Sequence, residues 1–243
     1  MHNFWTIYRR EFSASFNSPI AYIFIFLFLA MMAFIFFVLQ GFFARPNPEV
    51  RGYFDLLPWT LIIFIPAITM RLWSEEKKQG TIELLMTLPM KTWELVLGKF
   101  LAGYSIVAMS ILLTLLLPIT VSWVAQIDST ALVAAYVGAL LIAGVYIAIG
   151  SWISALTENQ IVAFLFAVVA CALVFFMGFP QVSDWANKTP FGGLGRFVSY
   201  FGTSVHYQKF AQGQVTAVDV VYSLSMIGLF LGLNNFAVEG RKY

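Results

Sequence analysis

Residues 71–99 read RLWSEEKKQGTIELLMTLPMKTWELVLGK and separate two long apolar runs. The chain has 14 basic and 12 acidic residues, and nine of these lie in this stretch: Arg71, Glu75, Glu76, Lys77, Lys78, Glu83, Lys91, Glu94 and Lys99. An Asp, Lys or Arg at the centre of a bilayer costs roughly 2.5–3.5 kcal/mol on insertion scales. Charge this dense is therefore expected in water. The stretch nevertheless keeps Ile82, Leu84, Leu85, Met86 and Leu88. A short, mixed charged and apolar link between two spans predicts a docking element at a membrane surface, where a soluble partner presses on the membrane protein.

The rest of the chain supports that setting. It is 60% hydrophobic, 17% aromatic and 11% charged, with a mean hydropathy of +0.82. Soluble domains average about 25% charged residues, so the composition predicts an all-α polytopic membrane protein. Its 243 residues accommodate six spans with short loops and no separate soluble domain. A net charge of +2 is too small to point to nucleic acid as a partner. The single Cys171 lies in an apolar run, which provides no disulfide framework and fits simple packing.

Residues 1–18 carry Phe4, Trp5, Tyr8, Phe12 and Phe16 at helical spacing around Arg9, Arg10 and Glu11, the pattern of an interfacial helix. No small-x-small cleavage site follows the first apolar run, so the N-terminal segment is expected to be a signal anchor. Apolar runs predict spans at 20–39, 54–70, 101–123, 131–156, 161–179 and 219–236. Pro19 opens the first span, and Pro66 is expected to kink the second, whose helix continues into the polar stretch. The fourth carries small residues at Ala135, Ala139, Ala143, Gly150 and Ser154, which allow close helix approach. Residues 180–217 form the longest non-spanning segment, extracytoplasmic or re-entrant. Within it Phe191, Leu194, Phe197, Val198 and Phe201 suggest an amphipathic helix, and His206 and Tyr207 read as ordinary interface residues. The termini and residues 71–99 together hold nine basic residues and the remaining loops five, which places both termini in the cytoplasm.

The sequence offers no enzyme chemistry. Gly98-Lys99 is the only Gly-Lys pair, but Trp93 and Phe100 stand where a phosphate loop requires Gly and Ser or Thr. His2 and His206 are the only histidines, without metal-ligand spacing. There is no Gly-x-Ser-x-Gly elbow, and Asp55, Asp128 and Asp219 sit near span ends, so no intramembrane proton relay is evident.

EEKKQGTIELLMTLP at 75–89, followed by LGKF at 97–100, resembles the signature of ABC-2 type transporter permeases. SPIAY at 18–22, IPAITMR at 65–71 and TENQIVAF at 157–164 resemble the gliding-motility permeases of the GldF kind. The resemblance implies one permease domain over residues 1–243, with six transmembrane helices and a cytoplasmic coupling helix between spans 2 and 3. It also implies a second permease copy or a related permease, two cytoplasmic ATP-binding subunits, and a bacterial inner-membrane location. ATP and Mg²⁺ would belong to the partner ATPase, leaving this chain without a cofactor. A GldG-like membrane protein with a large extracytoplasmic domain is a further implied partner. The residues assigned to ATPase coupling are Glu75, Glu76, Gly80, Thr81, Glu83, Leu84, Leu85, Leu88, Pro89 and Lys99. Thr157, Glu158, Asn159 and Gln160 form either a second ATPase contact or a plain polar turn.

Two local readings of 75–89 remain open on the residues alone. Glu76 and Glu83 are two turns apart and share a face of a continuous helix. Alternatively, Gly80 bends the chain and Thr81 caps a second short helix. Two functions also remain: substrate movement driven by the ATPase, or force transmitted to an extracytoplasmic partner.

Overall fold

One extended residue, Ser18 (φ −102°, ψ 152°), separates the N-terminal helix α1 (His2–Asn17) from the first apolar helix α2 (Pro19–Phe34). Pro19 suits this start because a first-turn residue has no amide partner to lose. The computed structural model describes residues 2–41, 51–83, 90–123, 128–188 and 194–240, and every regular element among them is helical. After α2 the chain makes a π-helical turn over Ile35–Leu39. Then follow α3 (Arg51–Thr69), α4 (Arg71–Lys78), α5 (Thr92–Leu113), α6 (Leu116–Val121) and α7 (Ser129–Leu156). The remaining helices are α8 (Gln160–Phe176), α9 (Pro180–Asn187), α10 (Leu194–Tyr200), α11 (Thr203–Ala211) and α12 (Ala217–Glu239).

Among the described residues, five helical stretches are long and apolar enough to cross a membrane: 19–39, 52–78, 92–121, 129–156 and 217–239. The other expected span falls on α8, an apolar helix of 17 residues. The second span does continue into the polar stretch, with Met70 in helical geometry between α3 and α4. The third begins at Thr92, well before residue 101, so Lys99 lies two turns inside a helix.

α7 is the centre of the bundle, packing against α3, α4, α5, α8, α11 and α12. Its small residues make this possible. Ala135, Ala139, Ala143 and Ser154 are fully buried, and a Cβ on Gly150 would clash with the Thr69 hydroxyl of α3. In hydrocarbon, where lipid supplies no hydrophobic drive between helices, such close contact is what holds them together. Asp128 caps the start of α7 by accepting from the amides of Thr130 and Ala131 at 2.9 and 3.3 Å. By contrast, α2 buries only the stripe Ala21, Phe24, Phe28 and Met32, while Tyr22, Ile23, Phe26 and Leu27 face outward.

Candidate functional site

α4 is bound to the end of α7 by its backbone as well as its side chains. The amides of Trp73 and Ser74 both donate to the Ser154 hydroxyl, at 3.1 and 3.2 Å, and that hydroxyl donates to the Met70 carbonyl at 2.9 Å. A side chain of α7 thus sits at the α3–α4 junction and satisfies groups that a helix start leaves open. The Trp73 indole is completely buried and donates to Ser151 at 3.1 Å, where Asn234 of α12 also donates, at 2.7 Å. Lys77, also buried, donates to the Ala155 carbonyl.

A second tie runs from α4 to α1 and α5. Lys99 is 1% exposed, and its ammonium lies 2.7 Å from Glu76 and 3.3 Å from Glu11. It also lies 5.2 Å from the centre of the Trp73 ring, within cation–π range. Arg10 pairs with Glu11 at 2.8 Å and approaches Glu76 at 3.8 Å. Burial pushes the Glu11 carboxyl up, but Lys99 and Arg10 outweigh it and hold the group below its ordinary value. On the flank, Arg71 grips Glu75 through two bonds of 2.8 and 2.9 Å. Lys77 and Lys99 therefore do not lie in water as the charge density predicted. Each is enclosed with its own partners, which is how ionised groups persist inside a helix bundle.

The outward surface begins where α4 ends. Gly80 takes φ +69°, a backbone conformation that L side chains rarely adopt, and it is exposed. The helix is therefore broken between Glu76 and Glu83, and the two carboxylates do not share a face. Glu76 points inward to Lys99, whereas Glu83 is exposed. Thr81 accounts for its hydroxyl by donating back to the Glu76 carbonyl at 3.3 Å. Leu84, Leu85, Leu88 and Pro89 lie outside the described residues. The 157–160 turn comes to the same end of the bundle, two residues past the carbonyl that Lys77 holds. There Asn159 caps α8 by accepting from the Ile161 and Val162 amides at 2.9 and 3.4 Å, while the Thr157 hydroxyl accepts from the Asn159 amide at 3.2 Å. Glu158 is exposed.

Comparison with known families matches residues 5–233 to the ABC-2 family transporter proteins. The chain belongs to that family. It is thus a multi-pass membrane permease subunit of an ABC transporter, a class whose ATPase resides in separate ATP-binding subunits. No curated protein matches the chain.

The permease holds another ionic cluster at its opposite end, which sequence reading missed. His206 is 1% exposed and Asp219 fully buried, so His206 is not an ordinary interface residue. Tyr207 is buried as well and donates to the Phe54 carbonyl at 2.9 Å. His206 Nε2 lies 2.9 Å from the Tyr200 carbonyl, and Nδ1 lies 2.6 Å from the Asp219 carboxylate, so both ring nitrogens have a partner. Lys209 pairs with the same carboxylate oxygen at 2.9 Å, and the Tyr222 ring stacks on the imidazole at 3.8 Å. The available signal was His206 and Lys209 three residues apart on one helix, with an aspartate in the first turn of the next.

Proposed function

We propose that this permease couples ATP hydrolysis by two cytoplasmic ATP-binding subunits to movement of a substrate across a bacterial inner membrane. The segment following α4 receives their motion. One observation carries this reading: α4 is fastened on its inner side to α7, α5 and α1, while the chain just beyond it presents Gly80 and Glu83 outward. A push at 79–89 would thus be felt by the central helix and by the N-terminal helix together. Glu75, Glu76 and Lys99 serve from behind, and Gly80, Thr81 and Glu83 with Leu84, Leu85, Leu88 and Pro89 form the contact. Thr157, Glu158, Asn159 and Gln160 add a smaller contact beside it.

In this reading α8 is the sixth span, since 17 residues lie at the lower bound of about 17–25 for a crossing helix. Both termini and residues 71–99 face the cytoplasm, on the side with most of the basic residues. Two permease copies, or this chain and a related one, complete the assembly around a two-fold axis. A second reading keeps the same input but transmits force to an extracytoplasmic partner, such as a GldG-like membrane protein in a GldF-like complex. The strongly apolar spans favour it because they suit helix packing better than a polar substrate path. Recovery of a co-purifying protein with a large extracytoplasmic domain, together with ATPase activity insensitive to candidate substrates, selects this second reading.

The deciding experiment is Glu83→Lys, with Asp184→Lys as the control at the opposite end. Glu83→Lys is expected to lose ATP-binding subunits on co-purification, or to lose stimulation of their ATPase, while still inserting into the membrane. Wild-type binding and stimulation by Glu83→Lys, and by further single changes from Glu75 to Glu83, overturn the coupling assignment.

A further inference from the structure

A cavity of about 380 Å³ lies behind α4, between the α1–α2 elbow and α5. This falls within the roughly 300–1,000 Å³ of ordinary ligand sites. Its lining is divided. Glu11, Arg71, Glu75, Glu76 and Lys99 bring charge to one part, while Ile20, Ala21, Ile68, Leu72 and Ile106 form an aliphatic part along the spans. The cavity therefore has a charged and an apolar half where interfacial α1 turns into the first span, the depth at which a phospholipid changes from headgroup to acyl chain.

The charged half has one unmet requirement. Glu76 accepts from Lys99 through Oε1, but its Oε2 is enclosed and has no hydrogen-bond partner among the described residues. A buried carboxylate oxygen without a donor is costly. An occupant that supplies an N–H would satisfy it. The lining as a whole combines three carboxylates with two cations, and Arg10 stands at Glu11 beside it. This mixture suits a zwitterion better than an anion, because carboxylates repel a headgroup of net negative charge.

We infer that this cavity binds the headgroup of a phosphatidylethanolamine-type lipid, whose primary ammonium donates to Glu76 and whose phosphate lies towards Arg71. One acyl chain follows Ile20, Ile68 and Ile106. A trimethylammonium headgroup has the charge but no N–H to donate, so phosphatidylcholine is discriminated against by hydrogen bonding rather than by charge. The inference concerns the permease alone and does not rest on ATPase coupling.

The test uses the full chain in nanodiscs, with spin-labelled phosphatidylethanolamine, phosphatidylcholine and phosphatidylglycerol as probes. Phosphatidylethanolamine is expected to be preferred over both by about tenfold, the value of one charge-assisted hydrogen bond at the low end of its range. Glu76→Gln is expected to remove the preference. Ala14→Trp, which obstructs the cavity from an exposed position on α1, does the same without touching the buried ion pairs. Asp184→Asn, on exposed α9, retains it. Equal binding of the three lipids, or an unchanged preference in Ala14→Trp, overturns the site. Displacement by soluble O-phosphoethanolamine as effective as by the lipid itself shows a site for a soluble amine and overturns the lipid assignment.

Discussion

The two ionic clusters of this permease use similar side chains in opposite ways. At one end, Lys99 of α5 joins Glu11 of α1 to Glu76 of α4, bridging elements that are 88 and 23 positions away from it. At the other, His206 and Lys209 of α11 meet Asp219 only 13 and 10 residues further on, at the start of α12. The first cluster ties separate helices together next to an exposed break in the chain and beside a cavity. The second closes a local helix–turn–helix and is sealed by Tyr222 and the Tyr200 carbonyl. Buried charge at a junction of distant elements can pass on a displacement, whereas buried charge within a local fold holds a shape.

The largest expected effect comes from removing the cation that serves both carboxylates. Lys99→Met leaves Glu11 and Glu76 enclosed without their shared partner, and breaking a buried pair in this way costs about 3–5 kcal/mol. Thermal unfolding of the purified permease in detergent is expected to show a large drop in Tm, with ATPase stimulation lost as well. A Tm equal to wild type would show that the junction is held by Trp73 and Ser154 alone.

A smaller effect is expected at the far cluster. His206→Phe keeps an aromatic ring against Tyr222 but removes two hydrogen bonds, while Lys209 still pairs with Asp219. The loss is therefore about 1–3 kcal/mol, that of leaving buried acceptors under-satisfied. Stimulation of the ATPase should survive in the protein that remains folded. Loss of stimulation at unchanged stability would erase the distinction between the two ends.

Acid provides a gentler probe of the first cluster. The Glu11 carboxyl is lowered in the folded state from its ordinary value of 4.5, because Lys99 and Arg10 outweigh the effect of burial. A depressed folded value gives stabilisation that is fully present above pH 4.5 and lost as pH falls through the lowered value. Glu11→Gln removes this contribution, so the Tm difference between wild type and variant should be constant near neutrality and shrink in acid. A difference that stays constant down to the acid limit would show Glu11 unperturbed by its neighbours.

The sequence revealed the parts of this molecule that are local along the chain. Apolar runs marked five long apolar helices and the shorter α8, the aromatic spacing of residues 4–16 gave α1, and Gly80 marked a break because the residue itself permits left-handed backbone. What stayed hidden was pairing across distance. Lys99 stands in LVLGKFLAG, and nothing in those letters says that Glu11 and Glu76 will meet it. Counting its charge with the neighbouring loop put it in water, and the early start of α5 at Thr92 carried it inside. The central position of α7 was half visible. Its small residues predicted close packing, but which helices would surround it depended on partners such as Thr69 against Gly150. The His206–Asp219 pair was missed for another reason: Asp219 near a span end reads as exposed, and only the return of α11 against α7 buries it.

The smallest effect on stability is expected at Glu83, and it separates the inward and outward halves of the 71–83 segment. Glu76 and Glu83 lie seven residues apart, which on an unbroken helix would give them one environment. The turn at Gly80 gives them two. Glu76 has a buried lysine as partner, while Glu83 is exposed on the isolated permease. Glu83→Lys should therefore change the stability of the permease alone by no more than about 0.5 kcal/mol, as ordinary surface substitutions do. In the presence of the ATP-binding subunits the same reversal should have a much larger effect. A carboxylate that docks into a complementary groove loses a few kcal/mol on charge reversal, of order 2–5 when paired and partly buried. The two measurements, Tm of the permease alone and retention of the ATPase on co-purification, must therefore diverge at Glu83 and move together at Lys99. If Glu83→Lys destabilises the isolated permease as strongly as Lys99→Met does, the carboxylate is internal. The outward face of the proposed coupling segment must then lie beyond it.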